Sequence, residues 1–183
     1  ISVDVEQPQN MPTAACVVVA NHASYLDGIL LKAMLPPHFR FVIKKEMSRI
    51  PIAGLFLRRI GSCFVDRDNR HSGAVDMRKL LRAAASGDSL GFFPEGTFKP
   101  EPGLGRFHTG AFVVAARAGL PVVPLCIKGT RTALPPASPW LRPGKVSITL
   151  LPSVTAPVQT SHQATATLLR DAAHSSILAV LGE

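Results

Sequence analysis

Cys16-Val17-Val18-Val19-Ala20-Asn21-His22-Ala23-Ser24-Tyr25-Leu26-Asp27 is the stretch on which the reading of this chain turns. Residues 16–20 form a short, apolar, β-branched run, the pattern of a strand buried on both faces. Ser24 and Asp27 stand at the spacing of a capping box, Ser-x-x-Asp, so a helix opens directly after the strand. The helical pattern then runs over residues 27–35. A strand followed at once by a capped helix is the unit from which α/β domains are built.

The same alternation continues along the chain. Further strands are predicted over 39–43, 63–65, 89–93, 122–127 and 146–151, and helices over 52–59, 73–86, 110–118 and 163–181. Gly87 falls where a helix C-cap glycine belongs, and Gly119-Leu120-Pro121 ends the next helix before a strand. Residues 134–143 carry four prolines and the only tryptophan, Trp140, and read as a loop. No internal repeat or domain boundary is visible. The expectation is a single α/β domain over 1–183, with a mostly parallel or mixed central sheet flanked by helices.

Composition narrows the function classes. At 46% hydrophobic and 17% charged residues the chain is globular. No apolar run approaches the roughly 18–20 residues of a spanning helix. The chain begins at Ile1, which reads as a fragment with an N-terminal anchor or partner domain upstream. The net charge is +8, and residues 40–82 hold eleven Lys or Arg against four Asp or Glu. Such a cluster is either a solvated surface or a field that attracts phosphate, as in a headgroup or an anionic bilayer. One Tyr and one Trp offer little stacking surface, so nucleic acid is not an expected partner. Cys16, Cys63 and Cys126 are widely spaced and lie in apolar strand-like runs, as small buried hydrophobes do; this fits a reducing compartment.

Residues 50–60, Ile-Pro-Ile-Ala-Gly-Leu-Phe-Leu-Arg-Arg-Ile, are apolar around most of a helical circumference and carry Arg58 and Arg59 near the end. Two readings stand: a buried helix or one lying in a membrane interface.

His22 and Asp27 are candidate base and orienting carboxylate. Five residues apart on one continuous helix they would point about 140° away from each other. A turn before the helix lets them meet, and then the Asp fixes one imidazole nitrogen and frees the other. The plainer alternative is a cap and a loop residue. One His with one Asp is too small a set for zinc, so no metal is expected. There is no Gly-x-Ser-x-Gly elbow, and no cysteine has a His beside it in sequence. A covalent acyl-enzyme is therefore not indicated, and His22 would activate a hydroxyl of the substrate. Phe93-Pro94-Glu95-Gly96-Thr97 follows the strand over 89–93. Pro94 stops that strand, Gly96 permits a tight turn, and Glu95 and Thr97 offer polar groups; an ordinary turn is the alternative. Arg67 follows the strand at 63–65 and could fork onto a phosphate or pair with Asp66 or Asp68.

In order along residues 15–130, these blocks resemble those of the glycerophospholipid acyltransferase family, typified by 1-acylglycerol-3-phosphate acyltransferase. Asn21-His22-x-Ser24-x-x-Asp27 resembles its catalytic His-x4-Asp motif. Gly61-x-x-Phe64-x-x-Arg67 and Phe93-Pro94-Glu95-Gly96-Thr97 resemble its two acceptor-binding blocks. Val122-Val123-Pro124-Leu125 resembles its fourth, and Lys44-Lys45-Glu46-Met47 with Ile50-Pro51 a segment between the first two. The resemblance implies a glycerol-3-phosphate acyltransferase-like fold and transfer of a fatty acyl group from acyl-CoA or acyl carrier protein to a lysophospholipid hydroxyl. It makes His22 and Asp27 catalytic. Asn21, Ser24, Lys44, Gly61, Arg67, Glu95, Gly96, Thr97 and Pro124 become substrate-binding candidates. Among these, Arg67 and more weakly Lys44 would anchor phosphate, and Glu95 with Thr97 would shape the acceptor pocket. It implies no cofactor beyond the thioester co-substrate, and a place at the cytoplasmic face of a membrane, peripheral or anchored from outside this chain. Two departures matter: Phe98-Lys99 stands where the family often has Arg-Ser, and Phe107-His108 where Phe-Lys is common. They leave the acceptor headgroup open. The reading from another class is a non-catalytic module that binds anionic lipid through the basic stretch.

Overall fold

The computed structural model describes residues 1–36, 38–66, 70–98, 101–135, 138, 140–157 and 161–182. Seven strands form one mixed sheet: β1 (Ser2–Glu6), β2 (Val17–Ala20), β3 (Phe39–Lys44), β4 (Cys63–Val65), β5 (Ser89–Phe92), β6 (Val122–Lys128) and β7 (Lys145–Leu150), in the order β1-β7-β6-β2-β5-β3-β4. Every neighbouring pair is parallel except β6 with β7. The helices are α1 (Tyr25–Met34), α2 (Pro51–Arg59), α3 (Arg70–Ala85), α4 (Gly110–Ala118), the single turn α5 (Thr130–Ala133) and α6 (His162–Leu181).

β2 is central, and its alternation decides the layers. Val17 and Val19 pack with α3, α4 and α6; Val18 and Ala20 pack on the other face with Leu26 and Leu31 of α1. All four are fully buried, and each valine so buried contributes about 1.5–3 kcal/mol. A strand covered on both faces needs apolar residues at every position, which is why residues 16–20 show no polar alternation.

The expected α/β class and single mixed sheet hold, with most element ends within a few residues. One strand was not expected, and two expectations are corrected. β1 lies at the sheet edge with all five residues exposed, so it offered no buried apolar run. Cys63 is only partly buried, because β4 is the opposite edge strand, whereas Cys16 and Cys126 are buried as expected. α2 is not a buried helix: Ile52 is 86% exposed, Leu55 49% and Phe56 48%. No helix among the described residues is long and apolar enough to cross a membrane.

Because β2 to β6 run parallel, their carboxyl ends collect along one edge. The residues after β2, Lys44 at the end of β3, Asp66 after β4 and the turn after β5 all emerge there. Open α/β sheets bind ligands at such an edge.

Candidate active site

His22 stands two residues past β2, and the loop holding it is fixed from three directions. Below it, the amide of Asn21 pairs with the backbone of β6: its Nδ2 donates to the Ile127 carbonyl at 2.8 Å, and its Oδ1 accepts from the Ile127 N–H at 2.7 Å. Beyond it, Ser24 caps α1. The Ser24 hydroxyl accepts from the Leu26 N–H and donates to the Leu134 carbonyl. From the side, Glu95 accepts from the His22 N–H at 2.7 Å through Oε1 and from the Gly105 N–H at 2.8 Å through Oε2.

The imidazole and the carboxylate meet. His22 Nδ1 lies 2.8 Å from Asp27 Oδ2. The same oxygen accepts from the Ala23 and Ser24 N–H groups at 2.7 and 2.8 Å. Asp27 is wholly buried. It sits in the first turn of α1, where the unsatisfied N–H groups favour a carboxylate. With Nδ1 held as the donor to Asp27, Nε2 carries the lone pair. Among the described residues nothing hydrogen-bonds to Nε2. The ring is clamped by stacking on Phe93 (centroids 4.1 Å apart, 18° between planes) and by the edge contact of Phe98 at 4.8 Å. The His22 side chain keeps 16% of its surface open.

Beside this pair lies a cleft of about 730 Å³, within the range of small-molecule sites. Val42, Met77, Leu80, Phe92, Ala111 and Val114 give it an apolar lining; Lys44, Thr97 and His108 are polar members of the wall. Phe93 and Glu95 belong both to the cleft wall and to the clamp on His22. Asp76 also lines the cleft, accepting from the Asp66 N–H at 2.8 Å and pairing with Lys79 at 3.3 Å.

The sequence candidates therefore divide. Lys44, Glu95, Gly96 and Thr97 line the cleft, and His22 with the buried Asp27 stands behind Phe93 and Glu95, the lining residues that contact His22. Gly96 takes φ +86°, the left-handed conformation that the turn after Pro94 needs, and its N–H returns to the Phe93 carbonyl. Lys44 Nζ stands 3.9 Å from Glu46. Asn21 and Ser24 are buried with their polar groups on protein partners, so they build the loop from within. Gly61, at φ +76°, is the residue that closes the end of α2. Pro124 is buried inside β6, level with Val19. Arg67 and Lys99 lie outside the described residues. Sequence reasoning missed the aromatic clamp and the Gly105 anchor. Phe93 and Phe98 flank the Pro-Glu-Gly-Thr turn, which was the available signal; nothing in Gly103-Leu104-Gly105 announces a partner ten residues back.

Burial pushes the Cys16 thiol up, partly offset by its hydrogen bond with Ser89, and burial likewise raises Cys63. Neither has the lowered pKa of an activated nucleophile.

The model of the family described as Acyltransferase matches residues 2–128, more than half of the chain. The chain belongs to the acyltransferase family. Among curated relatives of this acyltransferase, the chloroplastic 1-acyl-sn-glycerol-3-phosphate acyltransferase BAT2 of Brassica napus is 34% identical over 137 residues, 74% of this chain and 40% of that protein. A 1-acyl-sn-glycerol-3-phosphate acyltransferase of Chlamydomonas reinhardtii is 37% identical over 138 residues, 75% of this chain and 41% of its own length. The acyltransferase chain thus matches about two fifths of the length of these relatives. The crystal structure of the 1-acyl-sn-glycerophosphate (LPA) acyltransferase PlsC from Thermotoga maritima superimposes with a TM-score of 0.79 at 25% identity, covering all of this chain and 73% of that one.

Proposed function

We propose that this acyltransferase moves a fatty acyl group from an acyl thioester, acyl-CoA or acyl carrier protein, to a hydroxyl of a lysophospholipid. The relatives are named for 1-acyl-sn-glycerol-3-phosphate, which makes that the first acceptor to test. The observation that carries the reading is the His22 ring, tied through Nδ1 to a buried Asp27, with Nε2 in no hydrogen bond among the described residues. Nε2 takes the proton of the acceptor hydroxyl as its oxygen attacks the thioester carbonyl. The carbonyl then re-forms, the C–S bond breaks, and the imidazolium returns the proton to the departing thiolate. Asp27 keeps the tautomer and stabilises the imidazolium. No acyl-enzyme is needed, in keeping with raised thiols.

The apolar cleft suits an acyl chain, with Lys44 and Thr97 at its wall and Arg67 as the candidate phosphate anchor. Glu95 serves by holding the His22 loop, and Asn21 and Ser24 by supporting it. The acceptor is drawn from a membrane surface, with the domain on the cytoplasmic face, and no cofactor is required beyond the thioester.

The test is incubation with a panel of lysophospholipids and both donor classes, read by mass spectrometry. A diacyl product is expected from the native chain and none above background from His22→Ala with its circular dichroism spectrum retained. Full turnover by His22→Ala would overturn the mechanism. Lipid binding without any transfer would instead favour a non-catalytic lipid-binding module.

A further inference from the structure

α2 is amphipathic in the wrong sense for a helix at home in water. Its inward side is Gly54, whose missing side chain lets the helix lie on the carbonyl of Ser48; a Cβ there would overlap that oxygen. Its outward stripe is Ile52, Leu55 and Phe56, at positions i, i+3 and i+4 of one face. Arg59 extends the stripe by one turn. Ile50, just ahead of the helix, is 45% exposed. Gly54 faces the protein beside the half-buried Leu57, and Ile52, Leu55 and Phe56 face out.

The charge around this stripe has one sign. Residues 44–59 hold Lys44, Lys45, Arg49, Arg58 and Arg59 against Glu46 alone. Lys45 pairs with Asp66 at 3.5 Å and Arg58 donates to the Ser48 carbonyl at 2.8 Å. Arg49 and Arg59 are exposed and have no ion pair or hydrogen bond among the described residues. The helix also has a telling position. It connects β3 to β4, and the last residues of those strands, Lys44 and Val65, line the cleft.

We infer that α2 docks this domain on an anionic bilayer, with Ile52, Leu55 and Phe56 in the acyl boundary and Arg49 and Arg59 at the headgroups. Basic residues around an outward apolar stripe are the chemistry that such a surface recognises. A second copy of the chain is a poor occupant: a symmetric contact would bring like charges together. A stripe on a helix of nine residues also falls short of the roughly 800 Å² per partner of a stable interface. A bilayer demands no complementary shape. Docking there brings the cleft wall to the membrane, where a lysophospholipid resides. The inference rests on the proposed acceptor only for its purpose; the docking itself is measured without substrate.

The experiment is sedimentation of the chain with phosphatidylcholine vesicles, with and without phosphatidylglycerol, in the absence of lysophospholipid and thioester. Binding to the anionic vesicles is expected. The combined Ile52→Ser, Leu55→Ser, Phe56→Ser variant should bind at least about tenfold more weakly, with its circular dichroism spectrum retained, since about half or more of each side chain already faces solvent. Arg59→Gln should bind about fivefold more weakly at low salt. Trp140→Ser with Leu141→Ser, which removes another exposed apolar pair, should bind as the native chain does. Native-level binding by the triple variant, failure of the native chain to bind anionic vesicles, or a dimer-to-monomer change in the triple variant by light scattering would each overturn the proposal. In solution, on a short-chain monomeric acceptor, the triple variant should keep native turnover. Vesicle binding through α2 without turnover on any acceptor would end the proposed reaction and leave the docking standing.

Discussion

At Asp27 a single oxygen accepts three hydrogen bonds, from the His22 ring and the Ala23 and Ser24 N–H groups. In Asp27→Asn the amide oxygen can take over all three, but the charge that stabilises the imidazolium is gone, and the amide NH2 falls where the buried, unpartnered Oδ1 stands. Turnover should fall about 10²–10⁴-fold, and urea denaturation should show a loss of about 1–3 kcal/mol from the buried, unsatisfied NH2. His22→Ala should abolish turnover and also cost about 1–3 kcal/mol, since its stacked ring and its bond to the buried Asp27 go together. Glu95→Gln tests the neighbouring strap. One amide oxygen can satisfy either the His22 or the Gly105 N–H, and the amide NH2 then faces the remaining donor. kcat should drop roughly 10–100-fold, as a misplaced base predicts, with KM for the acceptor nearly unchanged; a KM effect alone would mean direct acceptor contact. Cys16 gives a pH signature. Its folded pKa is raised by burial above the ordinary value of 9.0, so its contribution to stability is whole below that value. It is lost as pH rises from there through the folded pKa, because only the unfolded thiol ionises at first. The melting temperature should decline above about pH 9, and less steeply in Cys16→Ala, as followed by circular dichroism.

Among the elements, α2 depends most on one residue. Helix propensity alone would make Gly54→Ala favourable by about 0.8–1.0 kcal/mol. The Ser48 carbonyl stands where the new Cβ would go, and overlap with backbone outweighs that gain. Gly54→Ala should therefore destabilise the domain by about 1–3 kcal/mol in urea titration, a reversal of the usual sign for an exposed helix. The elements that the sequence made legible are those whose burial imposed a pattern. β2, β5 and β6 are buried from end to end apart from Lys128, so each had to be apolar, the exception being Ser89, whose hydroxyl accepts from the Cys16 N–H. The helix caps were equally plain: the Ser24–Asp27 box and Gly119 at φ +66° are local chemistry that needs no tertiary partner. β1 escaped because both its faces are exposed and it pairs only with β7, although Val3 and Val5 against Asp4 and Glu6 carry the alternation that would have found it. α2 was ambiguous for a different reason. An apolar helix pattern states that a stripe seeks company, not whether the company is the core or a membrane.

Across the whole molecule, the site is assembled by bonds the sequence could not display. Asn21 reaches Ile127 across 106 residues and His22 reaches Glu95 across 73. Several crossovers intervene in each case, and the common carboxyl edge of the adjacent parallel strands β6, β2 and β5 is what brings the two signatures together. The sequence showed the residues of each block; the sheet order that makes them neighbours came only with the structure. The same order sets a gradient of stability. β2 and β5 lie at the centre, buried on both faces between paired neighbours, while β1 and β4 are edges and α2 touches little beyond the Lys45–Arg49 turn. Local opening costs least where few buried contacts are broken. In native-state hydrogen exchange, amides of β2 and β5 should therefore exchange only through global unfolding, and those of β1 and α2 much sooner. The Asn21–Ala23 amides should follow β2, because Asn21 and Glu95 tie that loop to β6 and to the turn after β5. Under the proposed docking, this gradient lets the helix settle into the bilayer without dragging His22 from Asp27. Adding anionic vesicles should then slow exchange in α2 and leave the Asn21–Ala23 amides where they were. Slowing spread equally over both would mean that the bilayer stabilises the domain as a whole, and the separation of docking from chemistry would be wrong.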